Sequence, residues 1–202
     1  MSLQFALVAL SCMALQRVVN SYGSVVVAAF TAADRVEQLL HQPYGTLSAA
    51  LATYCGQNLG AGKMERIKQG FKKSVMLMLI FSMFMIPIMQ FKGEWIVSLF
   101  VDDPEVIRYG ATALRITSLF YVFLGTINVA RGVLNGVGDA IFALINGVVE
   151  VIIRIILPVA MTGIVWIGVW GIWWSTGLSW LISAAFCVWR YAFWKKKYFR
   201  EA

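Results

Sequence analysis

The sequence has little charge, and that shortage excludes an ordinary soluble domain. Charged residues make up 13% of its 202 residues and hydrophobic residues 60%. A soluble domain is about one quarter charged and about half apolar. A soluble fold of this length has no way to hide so much apolar surface, so lipid is the expected solvent for much of it.

Catalytic and metal-binding motifs are also scarce in the sequence. There is one histidine, His41, and the sequence contains neither HExxH nor GxSxG and no pair of catalytic aspartates. The three cysteines, Cys12, Cys55 and Cys187, lie in apolar segments without a CxxC spacing, which is typical of small buried side chains. We therefore predict that the chain is not an enzyme and holds no metal and no cofactor.

The net charge of +7 is small beside the apolar signal. Basic residues that flank membrane spans are the usual source of such an excess, so we expect a lipid bilayer as partner and no nucleic acid. The first residues, MSLQFALVAL, have no basic stretch of the kind that begins a signal peptide. The chain instead starts within an apolar segment, as a piece of a larger protein would.

Long apolar stretches dominate the chain and predict an all-α membrane protein. Each is near or above the roughly 20 residues that a spanning helix needs, and too continuous for the alternating strands of a barrel. Between the third and fourth stretches lies a short amphipathic piece. The six predicted transmembrane helices cover about residues 2–20, 24–55, 67–90, 105–134, 139–162 and 167–194.

Basic residues fall on one side of this predicted topology. The connection after the second helix contains five, and the tail after the sixth contains Lys195, Lys196, Lys197 and Arg200. The opposite loop carries mainly acids, among them Asp102 and Asp103. Because basic residues favour the cytoplasmic side, we expect a multi-pass protein of the plasma membrane with a cytoplasmic C-terminus.

The most polar connection, residues 56–74, reads GQNLGAGKMERIKQGFKKS. Glycine allows a tight turn at the membrane surface, and amide side chains can satisfy helix-end groups. A purely topological elbow and a direct part in transport are the two interpretations. The elbow residues are Gly56, Gln57, Asn58, Gly60 and Gly62.

GQNLGAGKMER resembles the loop repeated in each half of multidrug and toxic compound extrusion (MATE) transporters. FYVFLGTINVARGVLNGVGD, residues 120–139, resembles a helix and turn of the second half, and ATYCGQN resembles the end of that half's second helix. The resemblance covers nearly the whole chain but only one lobe of the two. It implies the C-terminal six-helix lobe of an antiporter that exports small organic compounds, expected to be cationic, in exchange for protons or sodium ions. The partner would be an N-terminal lobe that this chain lacks.

Charged groups within the predicted spans are the candidates for substrate or ion binding, because such groups are costly in lipid. By helical rise, Asp34 lies about 15 Å deep, with Glu37 and His41 on roughly the same face. Glu150 lies at a similar depth in the fifth helix, on one face with Asn146 and Arg154. In the alternative hypothesis these acids are neutralised by two structural charge partners, Arg115 and Arg154.

The coupling ion stays open at this stage. The sodium-coupled members implied by the resemblance use acids on the first and fourth helices of this half. Here the first helix has none, and the fourth has only Glu105 at its edge. Two further alternatives remain: a lipid-linked saccharide flippase of similar fold, and a non-transporting membrane fragment.

Overall fold

A computed structural model describes the protein at residue 13 and over residues 15–199, and every regular element in these segments is a helix. The remainder of the predicted first helix lies outside the described residues. The all-α prediction is confirmed. The helices are α1 (residues 15–20), α2 (Ser24–Gly60), α3 (Met64–Ser98), α4 (Pro104–Ser118), α5 (Tyr121–Gly136), α6 (Ala140–Thr162) and α7 (Gly171–Phe199), with a 3-10 turn at Gly168–Trp170.

Three of the described helical segments are long and apolar enough to cross a membrane, and counting α4 and α5 as one bent span gives up to four. The three are Met64–Ser98, Leu144–Thr162 and Gly168–Phe193. Helix α2 has 37 residues, about 55 Å at 1.5 Å per residue, but carries Asp34, Arg35 and Glu37 in its first half. Its polar content separates it from the other long helices.

The helix predicted over 105–134 is divided in the structure. Helices α4 and α5 meet at a bend of 55°, although neither proline nor glycine occupies the break. The Arg115 carbonyl accepts hydrogen bonds from Ser118 Oγ at 2.9 Å and from Gln90 Nε2 at 2.8 Å. In a continuous helix that carbonyl would accept from the Leu119 amide. Side chains therefore replace the backbone bond that is lost at the bend.

Two glycines close the connections that carry the MATE-like motifs. Gly62 has φ of 68° and Gly138 has φ of 85°, a region that favours glycine. The Lys63 amide donates to Asn58 O at 2.8 Å, and the Asp139 amide donates to Leu134 O at 2.8 Å. Both helices thus end in a Schellman motif.

The predicted elbow is shorter than its motif. Helix α2 continues to Gly60, so Gly56, Gln57, Asn58 and Gly60 are helical and only Gly62 lies in the turn. The expectation that Gly60 forms part of the turn was wrong. Asn58 Nδ2 donates to Tyr54 O at 2.8 Å, within the same helix, which leaves the turn itself to Gly62.

Close packing of α2 against α5 explains three further glycines of these motifs, Gly56, Gly132 and Gly136. A Cβ added at Gly132 would lie 2.7 Å from Ser48 O, and one at Gly136 would lie 2.7 Å from Cys55 Cβ. A Cβ added at Gly56 would lie 3.2 Å from Gly136 O. The two segments that resemble MATE motifs are therefore in contact, and small residues bring their backbones together.

The outward surfaces of α3 and α6 are apolar, as contact with lipid requires. Exposed side chains include Met83 and Phe84 on α3 and Ile152 and Ile156 on α6. By contrast, Trp173 of the tryptophan-rich α7 is buried. Helix α5 lies inside this shell and contacts α2, α3, α6 and α7, so its polar residues face the interior of the bundle.

Candidate ion and substrate site

A buried carboxylate held by two arginines occupies the interior of the bundle. Glu150 Oε2 is 2.6 Å from Arg131 Nη2 of α5, and its Oε1 is 3.0 Å from Arg154 Nη2, one turn further along α6. The exposed fraction of the Glu150 side chain is 7%. Because an unpaired buried charge is costly, the Arg131–Glu150 pair holds α5 to α6, and Arg154 adds a second partner for Glu150 within α6.

Asn146 completes this group, which we call the core ion cluster: Arg131, Asn146, Glu150 and Arg154. With its amide oriented to accept, Asn146 Oδ1 receives hydrogen bonds from Arg131 Nη2 at 2.6 Å and Nε at 3.0 Å. The cluster contains two guanidinium groups and one carboxylate. One positive charge is therefore not balanced within the cluster itself.

Glu37 and His41 of α2 lie on the side of α2 that is turned toward this cluster. Arg154 lies within electrostatic reach of both side chains, and Glu150 within reach of His41. The structure thus places Glu37 and His41 near Glu150 and Arg154, although more than one hundred residues of sequence separate the two pairs.

Several buried polar atoms around Glu37 lack a hydrogen-bond partner among the described residues. They are Glu37 Oε1, the Tyr121 hydroxyl and Trp180 Nε1. The Thr117 hydroxyl lies beside both Glu37 and Tyr121, and the Trp180 ring meets His41 edge-on at 5.9 Å between centroids. Buried polar groups are nearly always satisfied in proteins, so this group is equipped to bind a polar ligand, a proton or water.

Asp34 lies on the exposed side of α2, away from the core ion cluster. Its Oδ2 accepts a hydrogen bond from Gln38 Nε2 at 2.6 Å, and both side chains are exposed. A polar and small-residue stripe continues along this side of the helix at intervals of three or four residues. The stripe, which we call the α2 polar face, comprises Thr31, Asp34, Gln38, Gln42, Thr46, Ala49 and Thr53.

The predicted pairing of Arg115 with the α2 acids is corrected by the structure. Arg115 Nη2 is 3.0 Å from Glu94 Oε1 of α3, and its Nε donates to Gln90 O at 3.2 Å. Its ion pair therefore ties α3 to α4 at the bend. The predicted pair of Glu150 with Arg154 is present at 3.0 Å, whereas the partner Arg131 was missed because that contact crosses between two helices and follows from no spacing within one of them.

Long apolar helices around a buried ion cluster, with one helix polar along an exposed side, define a multi-pass membrane protein of the transporter type. A model of the MatE family matches residues 1–159, most of the chain. The chain belongs to the MATE family of multidrug transporters.

Curated relatives and solved structures agree with this assignment. The chain is 28% identical over 196 residues to "Probable multidrug resistance protein YpnP" of Bacillus subtilis, covering 96% of this chain and 44% of that protein. It is 29% identical over 137 residues to an "FAD transporter" of Shewanella oneidensis, covering 68% of this chain and 30% of that protein. The chain thus spans less than half the length of these relatives.

Solved structures with a similar fold also belong to transporters of this kind. An outward-facing multidrug resistance MATE family transporter of the MOP superfamily matches with a TM-score of 0.86 and 20% identity, over 93% of this chain and 42% of that one. A MOP superfamily transporter from Pyrococcus furiosus matches with a TM-score of 0.81 and 19% identity, over 92% and 41% of the two chains. At these identities the likeness concerns the fold.

Proposed function

We propose that this chain forms the C-terminal lobe of a cation-coupled multidrug antiporter, a transporter rather than an enzyme, which exports small organic cations across the plasma membrane. In this proposal it works with a second, N-terminal lobe of about the same size. Alternating access needs two bundles that move around a site between them. We call the pair of lobes the assembled transporter.

The α2 polar face is the observation that carries this proposal. A helix inside a bilayer presents polar residues to the bundle interior or to a water-filled cavity, yet this face is exposed in the described lobe. A second lobe placed opposite α2 would enclose a cavity lined by Asp34, Gln38 and Gln42. The carboxylate of Asp34 would give that cavity an attraction for organic cations.

We assign coupling to a cation to Asp34 on this face and to Glu37, which lies between this face and the core. Asp34 and Glu37 lie about one turn apart, and His41 follows a turn later. Glu150 has two arginine partners, so it contributes by holding those arginines rather than by binding a cation directly. Protons and sodium ions remain the two candidate coupling ions for the transporter, and no cofactor is needed.

An anionic substrate is the second candidate, because one relative is named an FAD transporter. Arg131 and Arg154 place two positive charges in the lobe, but both contact Glu150 and both side chains are largely buried. A lipid-linked saccharide flippase would likewise need cationic groups at its cavity. The exposed carboxylate of Asp34 favours a cationic substrate over FAD and over a lipid-linked saccharide.

Efflux by proteoliposomes with the assembled transporter tests this assignment. We expect export of ethidium or tetraphenylphosphonium driven by an imposed proton or sodium gradient, and no export of FAD. Export of FAD without export of either cation would overturn the proposed substrate class. The lobe alone should insert but should not export, and gradient-driven export by the isolated chain would contradict the two-lobe mechanism.

The orientation is proposed from the distribution of basic residues, with both the Lys63 connection and the C-terminus in the cytoplasm. A cysteine at Asp102 should react with an impermeant reagent added outside intact cells, in a background without the native cysteines. Cysteines at Lys63 and Lys196 should react only after the membrane is opened. Labelling of Lys63 from outside would invert this topology.

A further inference from the structure

The exposed face of α3 changes from basic to apolar along its length, and the proposed function makes no use of this surface. Side chains three or four residues apart share one face of a helix. This face begins with Arg66, Gln69 and Lys73, continues with apolar side chains, and is exposed at each of these positions. Its apolar part, which we call the α3 lipid face, comprises Met76, Ile80, Met83, Phe84 and Phe91.

The length of the α3 lipid face matches the hydrocarbon layer of a bilayer. Lys73 precedes this face and Lys92 follows it, nineteen residues further along the helix, which corresponds to about 28 Å at 1.5 Å per residue. The hydrocarbon core of a bilayer is about 30 Å thick. Because lysine side chains extend toward water while their stems lie against apolar surface, the two ammonium groups reach opposite headgroup layers.

The two ends of this face carry opposite charge. At the first end, residues 61–74 contain five basic residues and one acid, Glu65, whose Oε2 is 3.3 Å from Lys68 Nζ. At the other end, residues 90–105 contain one basic residue and four acids. Four basic side chains at the first end are exposed and have no acid within ion-pair distance among the described residues. These four, which we call the basic patch, are Lys63, Arg66, Lys72 and Lys73.

An aromatic side chain of α7 also marks this end of the bundle. Phe71 of α3 stacks on Tyr191 of α7 with 4.0 Å between ring centroids, so the start of α3 lies beside the last turns of α7. Trp189, two residues before Tyr191, is exposed. Tryptophan favours the boundary between hydrocarbon and water. Both helices therefore place the basic patch at the level of the lipid headgroups.

We propose that the basic patch binds the headgroups of anionic phospholipids, whose acyl chains lie along the α3 lipid face. Basic side chains directly beside a membrane span attract anionic headgroups, and lysine and arginine donate charge-assisted hydrogen bonds to phosphate oxygens. A soluble polyanion matches the charge of the patch but not the apolar surface that adjoins it. The inference goes beyond the proposed function, because this lipid is neither the exported substrate nor the coupling ion.

Quenching of a fluorophore by labelled lipids measures which lipid occupies this surface. The fluorophore is attached to Met76→Cys, one turn from Lys73, in the assembled transporter without native cysteines. The protein is reconstituted in phosphatidylcholine with a small fraction of nitroxide-labelled phosphatidylglycerol or, in parallel, nitroxide-labelled phosphatidylcholine. We expect the labelled phosphatidylglycerol to quench at least about threefold more strongly. The matched site is Phe91→Cys, at the other end of the same face, where the two labelled lipids should quench equally.

Neutral substitutions test the basic patch itself. The triple variant Arg66→Gln, Lys72→Gln and Lys73→Gln should make the two lipids quench equally at position 76, whereas Lys92→Gln should leave the difference unchanged. These side chains are exposed, so the variants should fold. Added salt should reduce the difference, since it screens exposed charges.

Four results would overturn the proposal. Equal quenching by the two lipids at position 76 would leave the basic patch to a soluble anionic partner. A difference that survives in the triple variant would assign the preference to other residues, and a difference of the same size at position 91 would show no preference for this end. Loss of the difference on addition of glycerol phosphate, at constant ionic strength, would indicate a site for free phosphate and not for a lipid.

Discussion

The acids of α2 and the acid of α6 lie at similar positions along their helices but have opposite surroundings. Glu150 is buried and held by Arg131 at 2.6 Å and Arg154 at 3.0 Å. Asp34 is exposed and bonded to Gln38 of its own helix, and Glu37 has a buried oxygen without a partner among the described residues. The comparison teaches that the depth of an intramembrane charge does not by itself assign its role, and that the groups bonded to the charge do.

Removing the buried carboxylate should have the largest effect. Glu150→Ala leaves Arg131 and Arg154 in the interior without their shared partner, and breaking a buried ion pair costs about 3–5 kcal/mol. We expect a severe loss of folded protein, measured by size-exclusion chromatography of a fluorescent fusion in detergent. Glu94→Ala is the matched control, because its pair with Arg115 is exposed and such pairs contribute about 0–1 kcal/mol. Equal losses in the two variants would contradict the structural role of Glu150.

Substitutions in the close packing between α2 and α5 should have the next largest effect on stability. Gly136→Ala places a Cβ 2.7 Å from Cys55 Cβ and against the backbone of Ala52. Overpacking of this kind costs about 1–3 kcal/mol. Gly60→Ala is the control in the same pair of motifs, since a Cβ there meets nothing within 4 Å and alanine favours the helix. Thermal unfolding in detergent should separate the two variants, with Gly136→Ala alone less stable.

Glu37→Gln should change stability only slightly, in contrast to Glu150→Ala. The substitution keeps the size of the side chain and removes an acid that has one unsatisfied oxygen. We expect a change below about 1 kcal/mol by the same thermal measurement, because isosteric changes without a new cavity are well tolerated. A loss as large as that of Glu150→Ala would place Glu37 among the groups that hold the bundle together.

Asp34→Asn should have the smallest effect on stability. The side chain is exposed in the lobe, and its bond to Gln38 lies within one helix turn, so a change within about 0.5 kcal/mol is expected. If the assembled transporter unfolds more readily with asparagine at this position, Asp34 contributes to the contact between lobes and not only to a cavity.

Sequence reasoning predicted the helical class, the family and the shared face of Asn146, Glu150 and Arg154, because helical periodicity and local motifs carry that information. The bend between α4 and α5 was missed, since it depends on Gln90, a side chain of another helix. For the same reason the partners of Arg115 and Glu150 were incompletely predicted. Glycine motifs predicted turns, but the packing role of Gly132 and Gly136 needed the neighbouring helix.

The central claim is that acids of α2 act in transport, whereas the ion pairs of Glu150 stabilise the fold. Efflux normalised to folded protein tests this claim most directly. The measurement compares Asp34→Ala and Glu37→Ala with Glu94→Ala in proteoliposomes of the assembled transporter. We predict that both α2 variants insert and fold in near-normal amounts but export cationic dye at least about tenfold more slowly, a barrier change of about 1.4 kcal/mol, while Glu94→Ala exports normally. Unchanged export per folded molecule in both α2 variants would contradict the account.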